Sequence, residues 1–278
     1  MKYLIFGAGY MARMFAEGLD DACISNVRVR DSSDSLNEIV RANPEWVINC
    51  AGIVGRPNVD WCESHRMETF MGNVILPLDI AKACRETGTP LLHIGSGCVY
   101  SGDKGGIGFS EDDPPNFAGS FYSKSKAMAE DLLKDFDTLQ LRIRMPVDCD
   151  LGCSRNLIHK LVGYNRVINV KNSITIAEDA VYAAEQLMKS DYRGIYNTVN
   201  PGPMTHKEIL ELYREIINPS FEYELISVEE LAKDLAAERS NCVLNTQKLS
   251  KIVKLQPLET RLQEIFMDYL QKTSEDVT

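Results

Sequence analysis

The sequence contains no run of about 18 apolar residues, which excludes a membrane-spanning helix as the reading of any segment. No internal repeat or low-complexity stretch is visible. Positive charge is in short supply. Thirty Lys and Arg stand against 40 Asp and Glu, a net charge of −10, which suits neither general nucleic-acid binding nor an anionic membrane surface. A small anionic ligand is still possible, because a few local donors suffice for one. The four histidines, His65, His93, His159 and His206, form no cluster, and beyond Cys149 and Cys153 no Cys/His pair has zinc spacing. No structural metal is expected. The N-terminus lacks the apolar core and small-residue cleavage site of a secretory signal, so a cytoplasmic location is expected. The eight cysteines are accordingly read as reduced thiols rather than a disulfide framework.

What is present is ordinary for a globular protein. The chain has 278 residues, 44% of them hydrophobic and 25% charged, enough for one large domain or two modest ones. Its first half alternates apolar runs with helical patterns. Strands are expected at Tyr3–Phe6, Val27–Arg30, Trp46–Cys50, Leu91–Ile94 and Leu139–Met145, the last halted by Pro146. Helices are expected at Tyr10–Leu19, Leu36–Ala42, Thr69–Glu86 and Tyr122–Phe136. Such alternation implies the α/β class, a Rossmann-type doubly wound parallel sheet covered on both faces. We divide the chain into a dinucleotide-binding part, residues 1–146, and a mainly substrate-binding part, residues 147–278, able to cross back into the sheet. The second part carries helical patterns at Arg155–Tyr164, Glu178–Lys189, Lys207–Ile217, Val228–Ala237 and Leu258–Leu270. Short strands are expected near Val167–Val170 and Tyr196–Val199.

Gly7-Ala8-Gly9-Tyr10-Met11-Ala12 is a GxGxxA sequence between a strand and a helix. Gly7 permits the tight turn, Gly9 lets backbone approach a pyrophosphate, and Ala12 tolerates the helix–sheet contact. Tyr10 and Met11 open a helix whose free N–H groups face the anion. With Arg30, and with Ala51 and Gly52 after strand three, these are the expected cofactor-binding residues. Arg30 favours the extra phosphate of NADPH and the adjacent Asp31 the ribose hydroxyl of NADH. The reading leans to NADPH and leaves NADH open.

Tyr122 and Lys126 stand four apart at the start of a helix and share a face. An ammonium beside a phenol should lower its pKa and make Tyr122 an acid or base near neutral pH. Strand four ends Ile94-Gly95-Ser96-Gly97-Cys98, with Ser96 suited to hydrogen-bond a carbonyl and Cys98 two residues on, facing the same side. With the glycine loop, these residues resemble an extended short-chain dehydrogenase/reductase. The resemblance implies that Ser96 polarises a ketone, Tyr122 donates a proton, and Lys126 tunes Tyr122 and contacts the nicotinamide ribose.

A closer resemblance rests on longer segments: Ala51 to His65, Gly106 to Phe109, Pro115 to Met128, Leu141 to Pro146, Arg155 to Ile158, and Arg239 to Asn241. Over nearly the whole chain these are similar to bifunctional UDP-4-keto-6-deoxyglucose 3,5-epimerase/4-reductases, relatives of dTDP-4-dehydrorhamnose reductase. Single-function reductases usually carry Thr-Asp after strand four, where this chain has Ser96-Gly97-Cys98. The resemblance implies 3,5-epimerisation of a UDP-4-keto-6-deoxy sugar, with Cys98 and Lys160 as acid and base, then NADPH reduction at carbon 4. It implies substrate contacts from Arg56, Ser96, Asn156 and Arg239, and a homodimer. Cys98 also suits a small core position, Lys160 a solvated lysine or a phosphate contact, and Arg239 an ordinary surface position. Two other functions compete: a 4-reductase needing a separate epimerase, and a non-catalytic regulatory subunit of the methionine adenosyltransferase type.

Overall fold

A computed structural model describes residues 2–275. Six parallel strands form the central sheet: β1 (Tyr3–Phe6), β2 (Ala22–Ile24), β3 (Trp46–Asn49), β4 (Leu91–Ser96), β5 (Thr138–Ile143) and, returning from the second half, β8 (Gly194–Asn197). Their order is β2-β1-β3-β4-β5-β8. Every residue of β1, β3, β4 and β5 is buried, as a sheet covered on both faces requires. One face carries α1 (Tyr10–Gly18) and α8 (Ala177–Lys189), which pack together in the core beneath β1, β3, β4 and β5. The other carries α2 (Ser32–Ala42), α5 (Leu76–Thr87) and α6 (Phe121–Leu133). Strand order reverses between β1 and β3, and the carboxyl ends of the strands at such a switch point are where ligands of these sheets bind.

Between the strands lie α3 (Trp61–Ser64), α4 (Arg66–Phe70) and a π-helical turn at Met71–Ile75 that leads into α5. After β5 come α7 (Leu157–Val162), β6 (Arg166–Ile168), β7 (Lys171–Asn172), β9 (Met204–Thr205), α9 (His206–Ile216), β10 (Glu224–Ile226), α10 (Val228–Ala232), α11 (Gln247–Ser250) and α12 (Leu258–Glu275). A separate core of Val147, Ile158, Ile174, Leu210, Leu262, Phe266 and their neighbours holds this part together. Among the described residues no helix is long and apolar enough to cross a membrane.

The structure moves one expected strand. Val27–Arg30 has the alternation of a strand, yet β2 is Ala22–Ile24, entered through Asp21 at φ 59°. Ser25 Oγ then accepts from Val27 N at 3.1 Å and donates to Glu38 at 2.9 Å, which turns the chain off the sheet edge. Val29 packs under α2 instead of extending the sheet. The single helix expected at Thr69–Glu86 is broken by the π-helical turn. Pro77 has no N–H to give the carbonyl of Asn73, and the helix widens there. Helix α2 begins four residues before Leu36 because Asp31 caps it, accepting from Ser33 N at 2.9 Å and Asp34 N at 3.2 Å.

Candidate active site

The glycine loop closes against β3. Gly7 adopts φ 103°, and a Cβ there would lie 2.7 Å from Ala51 N, so only glycine lets β1 turn this close to the loop after β3. A Cβ on Gly9 would meet nothing within 4 Å. Gly9 caps α1 without a side chain, which leaves the first-turn N–H groups facing that open space. The Met11 side chain is not part of this face: it is buried in the core, and only its backbone N–H is left to serve a ligand. Tyr10 turns its phenol toward Asp148, and burial together with that carboxylate keeps it protonated. Arg30 is exposed and pairs with Asp34 through two bonds of 2.9 and 3.0 Å. The Asp31 carboxylate is committed to the α2 cap. Gly52 follows Ala51 in a loop clamped by buried Asn73, which accepts from Ile53 N at 2.7 Å and donates to Ile53 O at 2.9 Å. The same amide donates to Ser125 Oγ on α6 at 3.0 Å, so one side chain ties the β3 loop to the helix of Tyr122.

Ser96, Tyr122 and Cys98 converge at the carboxyl end of β4. Ser96 is the last strand residue, and its Oγ accepts from Cys98 N at 3.1 Å. Ser120 caps α6, accepting from Ser123 N at 3.1 Å, which starts the helix so that Tyr122 lies in its first turn. The Tyr122 phenol lies beside Ser96 and in the field of Cys98 and Arg144. Its pKa runs opposite to the expectation from Lys126. Burial and the nearby Cys98 push it above the ordinary phenol value, while Ser96 and Arg144 only partly offset them. Lys126 is turned elsewhere. Its Nζ donates to Ile94 O at 2.9 Å and lies 3.5 Å from His93 Nε2. Burial lowers its pKa to about 8. His93, also buried, contacts Asn49 Nδ2 through Nδ1 at 3.1 Å and is kept neutral well below the usual histidine range. The Asn49 amide accepts from Ala51 N at 2.9 Å, so it presents its NH₂ to Nδ1 and leaves the ring proton on Nε2.

The other expected residues separate. Cys98 is half-buried, not a core residue, and accepts from Arg144 Nη1 at 3.4 Å. Lys160 is half-buried on α7 beside Arg155 and Cys153, and both burial and Arg155 lower its pKa. It makes no hydrogen bond or ion pair with Ser96, Cys98 or Tyr122. Asn156, expected at the substrate, is fully buried and caps α7. Its Oδ1 accepts from Ile158 N at 2.9 Å, and its Nδ2 donates to Asp148 and Asp150, leaving nothing to offer a ligand. Arg239 is engaged by Asp60 through bonds of 2.7 and 3.0 Å, which holds that carboxyl below its ordinary range. Arg56 is exposed on the β3 loop. Sequence reasoning missed Asn73, His93 and Arg144. Two arginines in the otherwise apolar run Leu141 to Pro146, and a histidine inside Leu91–Ile94, were the available signals.

Three comparisons with known proteins bear on this site. The family described as RmlD substrate binding domain matches residues 16–147. The chain is 45% identical over 228 residues to a bifunctional dTDP-4-dehydrorhamnose 3,5-epimerase/dTDP-4-dehydrorhamnose reductase of Arabidopsis thaliana, covering 80% of this chain and 76% of that protein. It is 42% identical over 262 residues to a trifunctional UDP-glucose 4,6-dehydratase/UDP-4-keto-6-deoxy-D-glucose 3,5-epimerase/UDP-4-keto-L-rhamnose-reductase of the same plant. That match covers 90% of this chain, which spans 39% of the trifunctional protein's length. The crystal structure of a UDP-rhamnose synthase from Acanthamoeba polyphaga mimivirus superposes with a TM-score of 0.91 at 32% identity, over 96% of this chain and 99% of that one.

Proposed function

The chain belongs to the 4-dehydrorhamnose 3,5-epimerase/reductase family, and from that membership we propose that it converts UDP-4-keto-6-deoxy-D-glucose to UDP-L-rhamnose. The observation that carries the reading is the convergence of a hydroxyl, a phenol and a thiol, Ser96, Tyr122 and Cys98, beside the glycine loop. A nicotinamide cofactor fits the loop. The open space at Gly9 and the free N–H groups of α1 would hold its pyrophosphate, and exposed Arg30 would meet the 2′-phosphate of NADPH. Asp31, the residue that would favour NADH, is already engaged as a cap. When bound, NADPH supplies the hydride for sugar carbon 4.

The chain's own residues do the rest. The ketone at carbon 4 acidifies the protons on carbons 3 and 5. Ser96 and Tyr122 donate to the ketone oxygen and stabilise the enolate formed when either proton leaves. Cys98 takes a proton from one face, and Lys160 returns one to the other, which inverts the centre. In the reduction Tyr122, held protonated by burial and by Cys98, gives its proton to the carbon-4 oxygen. On the family resemblance Lys126 would hold the nicotinamide ribose, giving up its bond to Ile94 O to do so. The same reading takes Arg56 and Arg239 as contacts for the sugar nucleotide, and takes the protein to work as a homodimer in the cytoplasm.

The test supplies purified protein with UDP-4-keto-6-deoxyglucose and NADPH and no other enzyme, and identifies the product by NMR. UDP-rhamnose with one NADPH consumed per sugar is expected. A reduced sugar without inversion at carbons 3 and 5 would leave only a 4-reductase. No NADPH oxidation at all would remove the proposal.

A further inference from the structure

Two arginines stand two residues apart at the end of β5, and both side chains are about 1% exposed. Arg142 has the partner a buried guanidinium requires: Glu130 receives its Nε and Nη2, both at 2.7 Å. Arg144 has none. Its five N–H groups are all spent, and no acceptor is a carboxylate. Nε donates to Ser173 O at 3.3 Å, and Nη2 to Asn172 Oδ1 at 2.6 Å and Ser240 O at 3.0 Å. Nη1 donates to Ser240 Oγ at 2.9 Å and to Cys98 Sγ at 3.4 Å. Among the described residues no Asp or Glu lies within ion-pair distance of it.

A guanidinium does not give up its proton inside a protein, and a buried cation without an anion is strongly disfavoured. Of the five groups that Arg144 touches, only the Cys98 thiol can become an anion. The fold also keeps this arginine in place deliberately. A Cβ on Gly97 would lie 2.7 Å from Arg144 Cγ, so the stem of the arginine passes over the one residue between Ser96 and Cys98. We propose that Arg144 is the positioning residue that holds Cys98 as a thiolate, so that the anion its own charge lacks is the base of the epimerisation.

The proposal deepens the epimerase half of the proposed function and rests on it only for the substrate. In the step, the thiolate forms an S–H bond, the sugar C–H bond breaks, and its electron pair moves into the enolate. The other ionisable groups that bear on Cys98 are Tyr122 and Lys126 on α6 and Cys242 on the strand-like segment beside β7, while His206 faces Arg144 from α9. A thiolate here keeps Tyr122 protonated, which is the state that reduction needs. Burial is the main cause that raises Cys242, and Arg144 only partly offsets it.

The experiment is a thiolate titration by ultraviolet absorbance near 240 nm, taken as wild type minus Cys98→Ser so that the other seven cysteines cancel. It needs no substrate, so its outcome is independent of whether the sugar assignment holds. Cys98 is expected to ionise at least one pH unit below an ordinary thiol of about 8.5, equivalent to roughly tenfold more thiolate at neutral pH. Arg144→Gln should return the transition to that ordinary value and slow alkylation of Cys98 at pH 7 about tenfold, while Arg144→Lys should restore part of the shift. Solvent deuterium exchange into the sugar should move its acidic limb by the same amount. An ordinary or raised transition in the wild type overturns the proposal even if Arg144→Gln fails to fold. An unmoved transition in a folded Arg144→Gln overturns it as well.

Discussion

Lys126 carries an ammonium into the interior with no carboxylate at ion-pair distance among the described residues, only Ile94 O at 2.9 Å and the edge of His93. Because His93 keeps its proton on Nε2, the lysine meets an N–H rather than a lone pair, and burial takes its pKa from 10.5 to about 8. Holding that charge at neutral pH costs about 3 kcal/mol relative to an exposed lysine. The sign follows from proton counting. Between about 8 and 10.5 the unfolded chain binds more protons at this site than the folded one, so the native state gains stability as pH rises through that window and pays the full penalty below it. Lys126→Met is therefore expected to match or exceed wild-type Tm at pH 7 while reducing keto-sugar reduction at least 100-fold, and its Tm advantage should shrink by pH 10. Thermal unfolding at the two pH values and a rate measurement check this. At this scale the sequence was legible in placing Ser96 at the end of β4 and Tyr122 in the first turn of α6, but not in the expected lowering of the Tyr122 pKa by Lys126, which burial reverses. It misled where the role depends on a distant partner. Asn156 is a helix cap spent on Asp148 and Asp150, and Arg144 draws its meaning from Cys98 46 residues away.

Among the elements, the π-helical turn has the clearest consequence. Pro77 withholds a donor, the helix widens over Met71–Ile75, and Asn73 is presented to the β3 loop and to α6 together. Asn73→Ala removes three hydrogen bonds at once, one buried and two part-buried. It should cost roughly 2–3 kcal/mol in urea unfolding, taking each as about 1 kcal/mol. It should also raise KM for NADPH more than it lowers kcat, because the Ala51–Gly52 segment loses its clamp. An unchanged KM would show that the loop is held by other means. Periodicity gave the long helices and the fully buried strands reliably. It failed at Val27–Arg30, where an alternating segment lies beyond the sheet edge because Ser25 and Glu38 turn it away. Alternation reports which side is buried, not whether a neighbouring strand is there to receive it.

In the whole molecule, the site is built by chain that is far apart in sequence. The sheet brings the glycine loop, β4 and the start of α6 to one edge, and this much followed from the strand–helix alternation. The residues beyond 146 supply β8 as the sixth strand, close to the strand expected at Tyr196–Val199, and they return segment 239–245 over the loop after β4, which no local pattern announced. There Gly102 bridges to Cys242, Phe109 to Leu244, and Arg239 reaches Asp60. That return brings Ser240 onto Arg144 and so completes the surroundings of Cys98. The same end of the sheet thereby holds both a thiol and a phenol, and on the proposed roles the two half-reactions should separate by mutation. The direct measurement is deuterium content at sugar carbons 3 and 5, read by NMR after incubation of the keto-sugar in deuterated water with wild type, Tyr122→Phe and Cys98→Ala. The account predicts that Tyr122→Phe loses NADPH oxidation but keeps measurable exchange, slowed about 100-fold or more because Ser96 alone then donates to the enolate oxygen, and that Cys98→Ala loses exchange. Wild-type exchange rates in Cys98→Ala would contradict it.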